Sequence, residues 1–463
     1  MRLKAAVTAA KLAAGASRRL RLGGGTALPG LVAERIDPEI VRELAGSIGQ
    51  GNVLITGTNG KTTTARLLRG AVRAAGLNAV SNRAGSNMMR GIAAALVESA
   101  GWNGQLAAPE RTIGVFEVDE ATLPEAAWAV RPRAVVFTNL FRDQLDRYGE
   151  VEYVAGVWRR AVASWPRLAV LVLNADDPSV ASIAPRAAGP TLFYGMTDPS
   201  PASGTLEHAA DARWCFNCGA ELSYAAVFYG HLGHWRCSRC GQARPKVDAG
   251  CSQFTAGGHG ISLAIDIPDA KLNVKLPLIG LYNAYNALAA AAAAHTIGIE
   301  AAAIEQGLNS VTAGFGRQER LTVNGRQVQV ILAKNPAGLN QVLKTITAGG
   351  GAGKDLVFVL NDGIADGRDI SWIWDVDFEQ LAGHAAAVTV SGGRAWDMAL
   401  RLKYAGLAPV MRVETEAASA LREAIKATPG GRTLYVIPTY TAMLQVRELL
   451  ARWGGRSSFW QEA

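Results

Sequence analysis

Residues 53–68 read VLITGTNGKTTTARLL, an apolar run that meets Gly57-Thr58-Asn59-Gly60-Lys61-Thr62-Thr63 and then turns helix-like. A glycine-rich turn between strand and helix points several backbone N–H groups at one anion, and the helix dipole adds positive potential there. In that setting the Lys61 ammonium reaches the outer phosphates of a nucleotide such as ATP, and the Thr62 hydroxyl reaches its Mg2+. The spacing is shorter than the usual G-x-x-x-x-G-K-S/T, because Ile55 stands where the first glycine belongs. Magnesium needs oxygen ligands. The next apolar run ends in FEVDEA, with Glu117, Asp119 and Glu120 at the strand terminus where open α/β sheets bind ligands. Glu117 is the expected protein carboxylate on Mg2+.

Two further groups carry chemistry. Cys215-x-x-Cys218 and Cys237-x-x-Cys240 are separated by eighteen residues, and each pair is followed by a glycine, Gly219 or Gly241. Four thiolates suit a closed, tetrahedral, structural Zn2+ site. His231 and His234 read as surface of that module. Its Arg236, Arg239, Arg244 and Lys246 lack the interleaved stacking aromatics of a nucleic-acid binder, so no nucleic acid is expected. Farther on, residues 360–379, LNDGIADGRDISWIWDVDFE, gather Asp362, Asp366, Asp369, Asp375 and Asp377 around one arginine, Arg368. Aromatics beside Asp375 mark it as a positioned carboxylate able to orient ammonia or accept its proton, with Asp369 as a second candidate.

These residues need elements to position them. IGVFEV (113–118), AVVFTNL (134–140) and LAVLVLNADD (168–177) read as buried parallel strands between helical stretches at 121–130 and 151–165. A short helix precedes them at 38–48. The rhythm breaks at 205–250, an inserted module, and resumes at 261–312, where 284–294 is helix. Beyond GFGRQER come strands at 328–333, 356–361, 386–392 and 433–439, with helices near 338–347, 378–383, 394–405 and 415–427. The Gly-rich 349–353 is only a loop, since Asp355 follows Lys354. The division expected is a basic segment 1–45, an ATP-binding α/β domain 46–313, and a C-terminal α/β domain 314–463.

Composition fits a folded protein with 49% hydrophobic and 19% charged residues and a net charge of +8. Arg2, Lys4, Lys11, Arg18, Arg19 and Arg21 precede the first acid, Glu34. That makes a basic helix resting on the protein, a tail, or a segment drawn to an anionic membrane face. Neither a spanning helix nor a secretory signal is expected. Few cysteines, most of them in metal-type pairs, point to the cytoplasm.

GTNGKTT, FEVDE, TNLFRDQLDRYG (138–149), NADDP (174–178), GLYNAYNALAAAAA (280–293) and GRQER (316–320) follow the order seen in Mur ligases, and the chain resembles that family. The resemblance implies a central ATPase domain with a parallel sheet and a Rossmann-like C-terminal domain. It also implies that ATP phosphorylates a carboxylate and an amine attacks the acyl phosphate. By the same resemblance Asn283 and Asn286 hold the adenine and Arg317 contacts the nucleotide.

Departures narrow the reading. Gln144, a weaker neutral ligand, stands where the family carries a second-metal histidine, and Arg159 and Arg160, fixed positive charges, where it carries a carbamylated lysine, which leaves the second Mg2+ an open question. Ile331 and Lys334 replace the aspartate and histidine of the family's D-Y-A-H-N-P segment. Too little chain precedes the loop for a domain that grips a UDP-sugar. The aspartate-rich stretch, YVIPTYTAML (435–444) and the four cysteines are similar to the Mur-ligase-like subunits that amidate lipid II. That implies conversion of the α-carboxylate of D-glutamate to D-isoglutamine on lipid II at the inner membrane face. The same resemblance implies a GatD-type glutamine amidotransferase in a heterodimer as ammonia source; the chain itself shows only that Cys251 has no local glutaminase-like setting, so that a partner or free ammonium must supply the nitrogen. Two alternatives stay open: an ATP-dependent folylpolyglutamate-type ligase, and a non-catalytic scaffold that binds ATP and zinc.

Overall fold

The computed structural model describes residues 1–19, 28–82, 86–143, 151–165, 169–208, 210–257, 260–312, 317–348 and 353–454. Among the described residues, short runs of apolar and β-branched residues, bounded by turns, give seventeen strands. The first eleven are β1 (Asn52–Thr56), β2 (Asn78–Val80), β3 (Thr112–Glu117), β4 (Ala134–Phe137), β5 (Val170–Asn174), β6 (Thr191–Met196), β7 (Leu222–Tyr229), β8 (Leu232–Cys237), β9 (Ala249–Gly257), β10 (Gly260–Ile267) and β11 (Ala270–Leu276). The others are β12 (Arg317–Val323), β13 (Arg326–Ile331), β14 (Lys354–Val359), β15 (Ala385–Ser391), β16 (Met411–Val413) and β17 (Thr433–Pro438).

One sheet runs β11-β10-β9-β6-β5-β4-β1-β3-β2, the other β12-β13-β17-β14-β15-β16, and β7 and β8 form a two-stranded sheet. Central strands β1, β3 and β4 are buried along their whole length, as parallel strands covered on both faces must be. The first sheet is mixed where a parallel one was expected. Residues 249–276 add an antiparallel edge, β9 to β11, while β9 itself runs parallel to β6 with Tyr194 opposite Ala249. Alternation along β11, whose residues are in turn outward and buried, is the signal that could have identified it.

The loop helix, Lys61–Ala74, packs on Ala301–Asn309 through Gly70 and Gly307; a Cβ on Gly307 would fall on the backbone of Ala71. Beside them the helix Leu281–Thr296 is alanine-rich, and Ala287, Ala289, Ala290, Ala291, Ala292, Ala293 and Ala294 are fully buried. Small side chains let its backbone approach the sheet, and alanine costs least in a helix.

Of the readings open for the basic start, the described part is a packed helix. Arg2–Arg19 buries Ala6, Val7 and Ala10 completely, and Lys11 lies over the Trp102 ring. The expected helix at 378–383 is a single 3-10 turn, Phe378–Leu381, and β16 was not anticipated. Residues 349–352 of the Gly-rich loop lie outside the described residues. Among the described residues no helix is long and apolar enough to cross a membrane.

Candidate active site

β1 delivers the chain into the loop, and two glycines make the turn. Gly57 has φ 127° and Gly60 φ 89°, conformations that L side chains avoid. A Cβ on Gly57 would strike Thr138 Oγ1, and one on Gly60 would strike Asn286 Oδ1. The loop is pinned to the end of β4: Thr58 N–H donates to Asn139 O at 2.9 Å, and Asn59 N–H to Asn139 Oδ1 at 2.9 Å. Thr58 Oγ1 accepts from Phe141 N–H at 2.9 Å and donates to Phe141 O at 3.1 Å.

Lys61 is buried. Its ammonium donates to Gly57 O and lies 3.2 Å from Glu120 Oε2. Burial raises the Glu120 carboxyl above the usual carboxylate range, against the lowering pull of Lys61 and Lys334. Thr62 Oγ1 donates to Glu117 Oε2 at 2.6 Å, so the two expected Mg2+ ligands already meet. Sequence reading missed Asn82, which fixes Glu117 by bonding both its N–H (2.9 Å) and its C=O (2.8 Å).

Asn283 and Asn286 sit on the adjacent helix. Asn286 Nδ2 donates to Asn283 Oδ1 at 3.1 Å, and its Oδ1 is the group facing Gly60. The Arg317 side chain and Gln144 lie outside the described residues. Next to Arg317, Gln318 holds φ 66° and clasps Ile279, whose N–H donates to Gln318 Oε1 at 2.6 Å. Arg159 is engaged by Glu152 and by Ser182 Oγ at 3.2 Å.

The second sheet supplies the far wall. Asn335 Nδ2 donates to Asn59 Oδ1 at 2.9 Å, and Lys334 pairs with the side chain of Asp143. The clustered aspartates divide by their contacts. Asp362 faces Arg394 at 3.6 Å, and Asp366 accepts from Thr441 N–H at 2.8 Å. Asp377 binds His208 Nδ1 at 2.5 Å and Asn340 at 3.1 Å. Asp369 is exposed, and hydrogen bonds from the Ser371 backbone and hydroxyl lower its carboxyl below the usual range. Asp375 faces Arg142, Oδ2 to Nη1, at 3.4 Å. The structure thus brings Asp375 to the middle of the chain, and gives Asp369 a local, turn-stabilising contact.

The four cysteines come together with all Sγ atoms within 4.8 Å of one another. A tetrahedral ion at 2.3 Å from each sulfur sets sulfurs roughly 3.8 Å apart, and Cys215–Cys240 and Cys218–Cys237 stand at 3.5 Å. The group fits a tetrahedral metal. Gly219 and Gly241, at φ 69° and 77°, turn the two knuckles. His231 corrects the surface reading: it is fully buried, while His234 is half-buried and bonds Met196 O at 2.9 Å. Arg244, weighed above as a nucleic-acid contact, pairs instead with buried Asp176, which also accepts from Tyr285 OH at 2.7 Å. NADDP is therefore a hub. Asp177 caps the helix Pro178–Ala181 and takes Leu140 N–H at 2.8 Å.

A strand, a glycine-rich loop and a helix in a sheet joined to a second α/β unit define the class, a Mur-ligase-type protein. The family model for the Mur ligase middle domain matches residues 55–215, and that for the MurT ligase C-terminal region matches 332–443. The fold is similar to that of a pseudomurein peptide ligase type C from Methanothermus fervidus, with TM-score 0.67 and 24% identity over 89% of this chain and 80% of that one. It is also similar to folylpolyglutamate synthase from Mycobacterium tuberculosis, with TM-score 0.62 and 17% identity over 90% and 94% of the two chains. The lipid II isoglutaminyl synthase (glutamine-hydrolyzing) subunit MurT of Staphylococcus aureus (strain COL) is 35% identical over 98% of both chains. Its namesake from Streptococcus pneumoniae (strain ATCC BAA-255 / R6) is 33% identical over 93% of both. The chain belongs to the MurT family.

Proposed function

We propose that this chain is the synthetase subunit of a lipid II isoglutaminyl synthase, with 46–313 as its nucleotide-binding unit and 314–463 as the unit that closes on it. The observation that carries the reading is the pairing of Lys61 with Glu120 and of Thr62 with Glu117 at the loop, in a chain similar along nearly its whole length to MurT subunits. ATP gives its γ-phosphoryl to the α-carboxylate of D-glutamate in the stem peptide. The acyl phosphate formed is attacked by ammonia, which releases phosphate and leaves the amide of D-isoglutamine. Lys61 exchanges Glu120 for the outer phosphates as ATP enters. Thr62 and Glu117 would hold Mg2+, which neutralises charge on the phosphates. Asp375 orients ammonia and takes its proton, a role for which it stands better placed than Asp369. The four cysteines hold Zn2+, so metal analysis should return one zinc per chain.

Ammonia comes from a partner. Burial pushes the Cys251 thiol up to about 12, and its Sγ donates to Gln253 O at 3.2 Å, the setting of an inert core cysteine. The helix Ala395–Tyr404 exposes Trp396, Leu400 and Tyr404 on one face, spaced by four, and Tyr404 meets Trp374 at 5.7 Å. Trp374 immediately precedes Asp375. This apolar face seats a glutamine amidotransferase subunit of the GatD type. The lipid-linked substrate brings the complex to the inner membrane face.

The test is amidation of purified lipid II with ATP and ammonium, and with glutamine plus the partner subunit, read by mass as OH replaced by NH2. Lys61→Ala should abolish both reactions. Leu400→Glu should lose the glutamine-supported reaction and keep the ammonium-supported one. ATP binding without amidation under any condition would overturn the reading.

A further inference from the structure

Arg142 is held from two sides. Its backbone N–H and its Nε donate to the two carboxylate oxygens of Asp211 at 2.9 and 2.5 Å, and its Nη1 lies 3.4 Å from Asp375 Oδ2. The two carboxylates differ in kind: the Asp211 side chain is 6% exposed and that of Asp375 is 41% exposed. One is a buried anchor and the other is open to solvent.

Asp211 lies on the segment leading into the four-cysteine module, and the module fixes it. Its N–H donates to Nδ1 of His231 at 3.3 Å. An accepting Nδ1 puts the imidazole proton on Nε2, which stands 3.4 Å from Asp177 Oδ2. The His231 ring, on the β7–β8 turn, packs against Phe141 at 4.4 Å, the residue before Arg142. Phe141 is the one whose backbone brackets the Thr58 hydroxyl in the phosphate loop. Asp211 thus holds Arg142 at two points, the backbone N–H and the side-chain Nε, which restricts where the planar guanidinium can present its Nη1.

We propose that Arg142 is the positioning residue for Asp375, and that the four-cysteine module, through Asp211 and His231, sets Arg142. The module then serves amidation as well as folding, by determining where the Asp375 carboxylate stands when ammonia arrives. This rests on the proposed role of Asp375, so the experiment must separate the two.

The experiment is steady-state amidation by the full complex, with ammonium as nitrogen source, for Arg142→Lys, Arg142→Ala, Asp211→Asn, Asp375→Asn and the Arg142→Ala/Asp375→Asn pair. Thermal melts run alongside, and KM is read separately for ammonium and ATP. Loss of the carboxylate in Asp375→Asn should lower kcat/KM for ammonium on the order of 100-fold. Misplacing it in Arg142→Ala should cost about tenfold or more, with Asp211→Asn affected in the same direction and Arg142→Lys retaining part of the activity. KM for ATP should stay near the wild-type value, which a merely structural defect would not spare. The double variant should be no worse than Asp375→Asn, because the two act as one unit. Should Arg142→Ala fail to fold, the near-isosteric Asp211→Asn decides. Folded Arg142→Ala or Asp211→Asn enzymes with wild-type ammonium kinetics, beside a defective Asp375→Asn, would overturn the linkage alone. A fully active Asp375→Asn would overturn both the role of Asp375 and the linkage.

Discussion

At the scale of single residues, Gly60 is, with Gly57, a position of the loop where only glycine fits. Its φ of 89° and the contact a Cβ would make with Asn286 Oδ1 leave no room for a side chain. Gly60→Ala should therefore strain the folded loop by roughly 1–3 kcal/mol, lower the melting temperature by about a few degrees and weaken ATP binding; thermal melts and calorimetric titration of ATP check it. Glu120 makes a pH prediction. Its carboxyl titrates above the usual range because burial outweighs the attraction of Lys61 and Lys334, with Asp119 and Asp143 raising it further. The folded protein thus binds this proton more tightly than the unfolded chain. The group's contribution favours folding below the unfolded value and declines as pH rises through the raised one. Glu120→Gln should flatten that part of the stability–pH curve, measured as melting temperature against pH, and an unchanged slope would count against the burial account. The loop, FEVDE and the cysteine knuckles were legible because their chemistry lies within a few neighbouring residues. Asp211 and His231 were not, since their partners are Arg142, Asp177 and Phe141, and only the folded chain brings those together.

At the scale of elements, the loop helix is set by its neighbour. Gly70 and Gly307 let the helices Lys61–Ala74 and Ala301–Asn309 touch backbone to backbone. A methyl at Gly307 has nowhere to go, so Gly307→Ala should destabilise by about 1–3 kcal/mol and tilt the loop helix, raising KM for ATP. Denaturant melts and ATP titration together read this, and a neutral result would mean the contact is slack. Strands and helices of the doubly wound core could be read from apolar runs alternating with alanine-rich stretches. The antiparallel edge, β9 to β11, was harder, because its polar outward positions dilute the apolar signal. The 3-10 turn at Phe378–Leu381 is too short to show periodicity.

At the scale of the whole molecule, closure is written in contacts between the two sheets' units. Asn59 meets Asn335, Asp143 meets Lys334, and Glu207 meets Gln341 at 3.1 Å and Lys344 at 2.5 Å. Asn335→Ala removes one of these, worth about 1 kcal/mol, and should widen the particle in small-angle scattering while lowering kcat; unchanged scattering and kcat would place closure elsewhere. The four-cysteine hairpin, β7 and β8, has its own consequence. It fills the connection from β6 to β9, which run parallel in one sheet. Parallel neighbours cannot be joined by a hairpin and need a crossover of a dozen or more residues. Evolution cannot prune this module to a tight turn: a lineage that deleted it outright would have to reverse β9, and with it the whole sheet edge through β11. It can only be exchanged for another crossover, and any replacement inherits the duty of supplying Asp211's carboxylate.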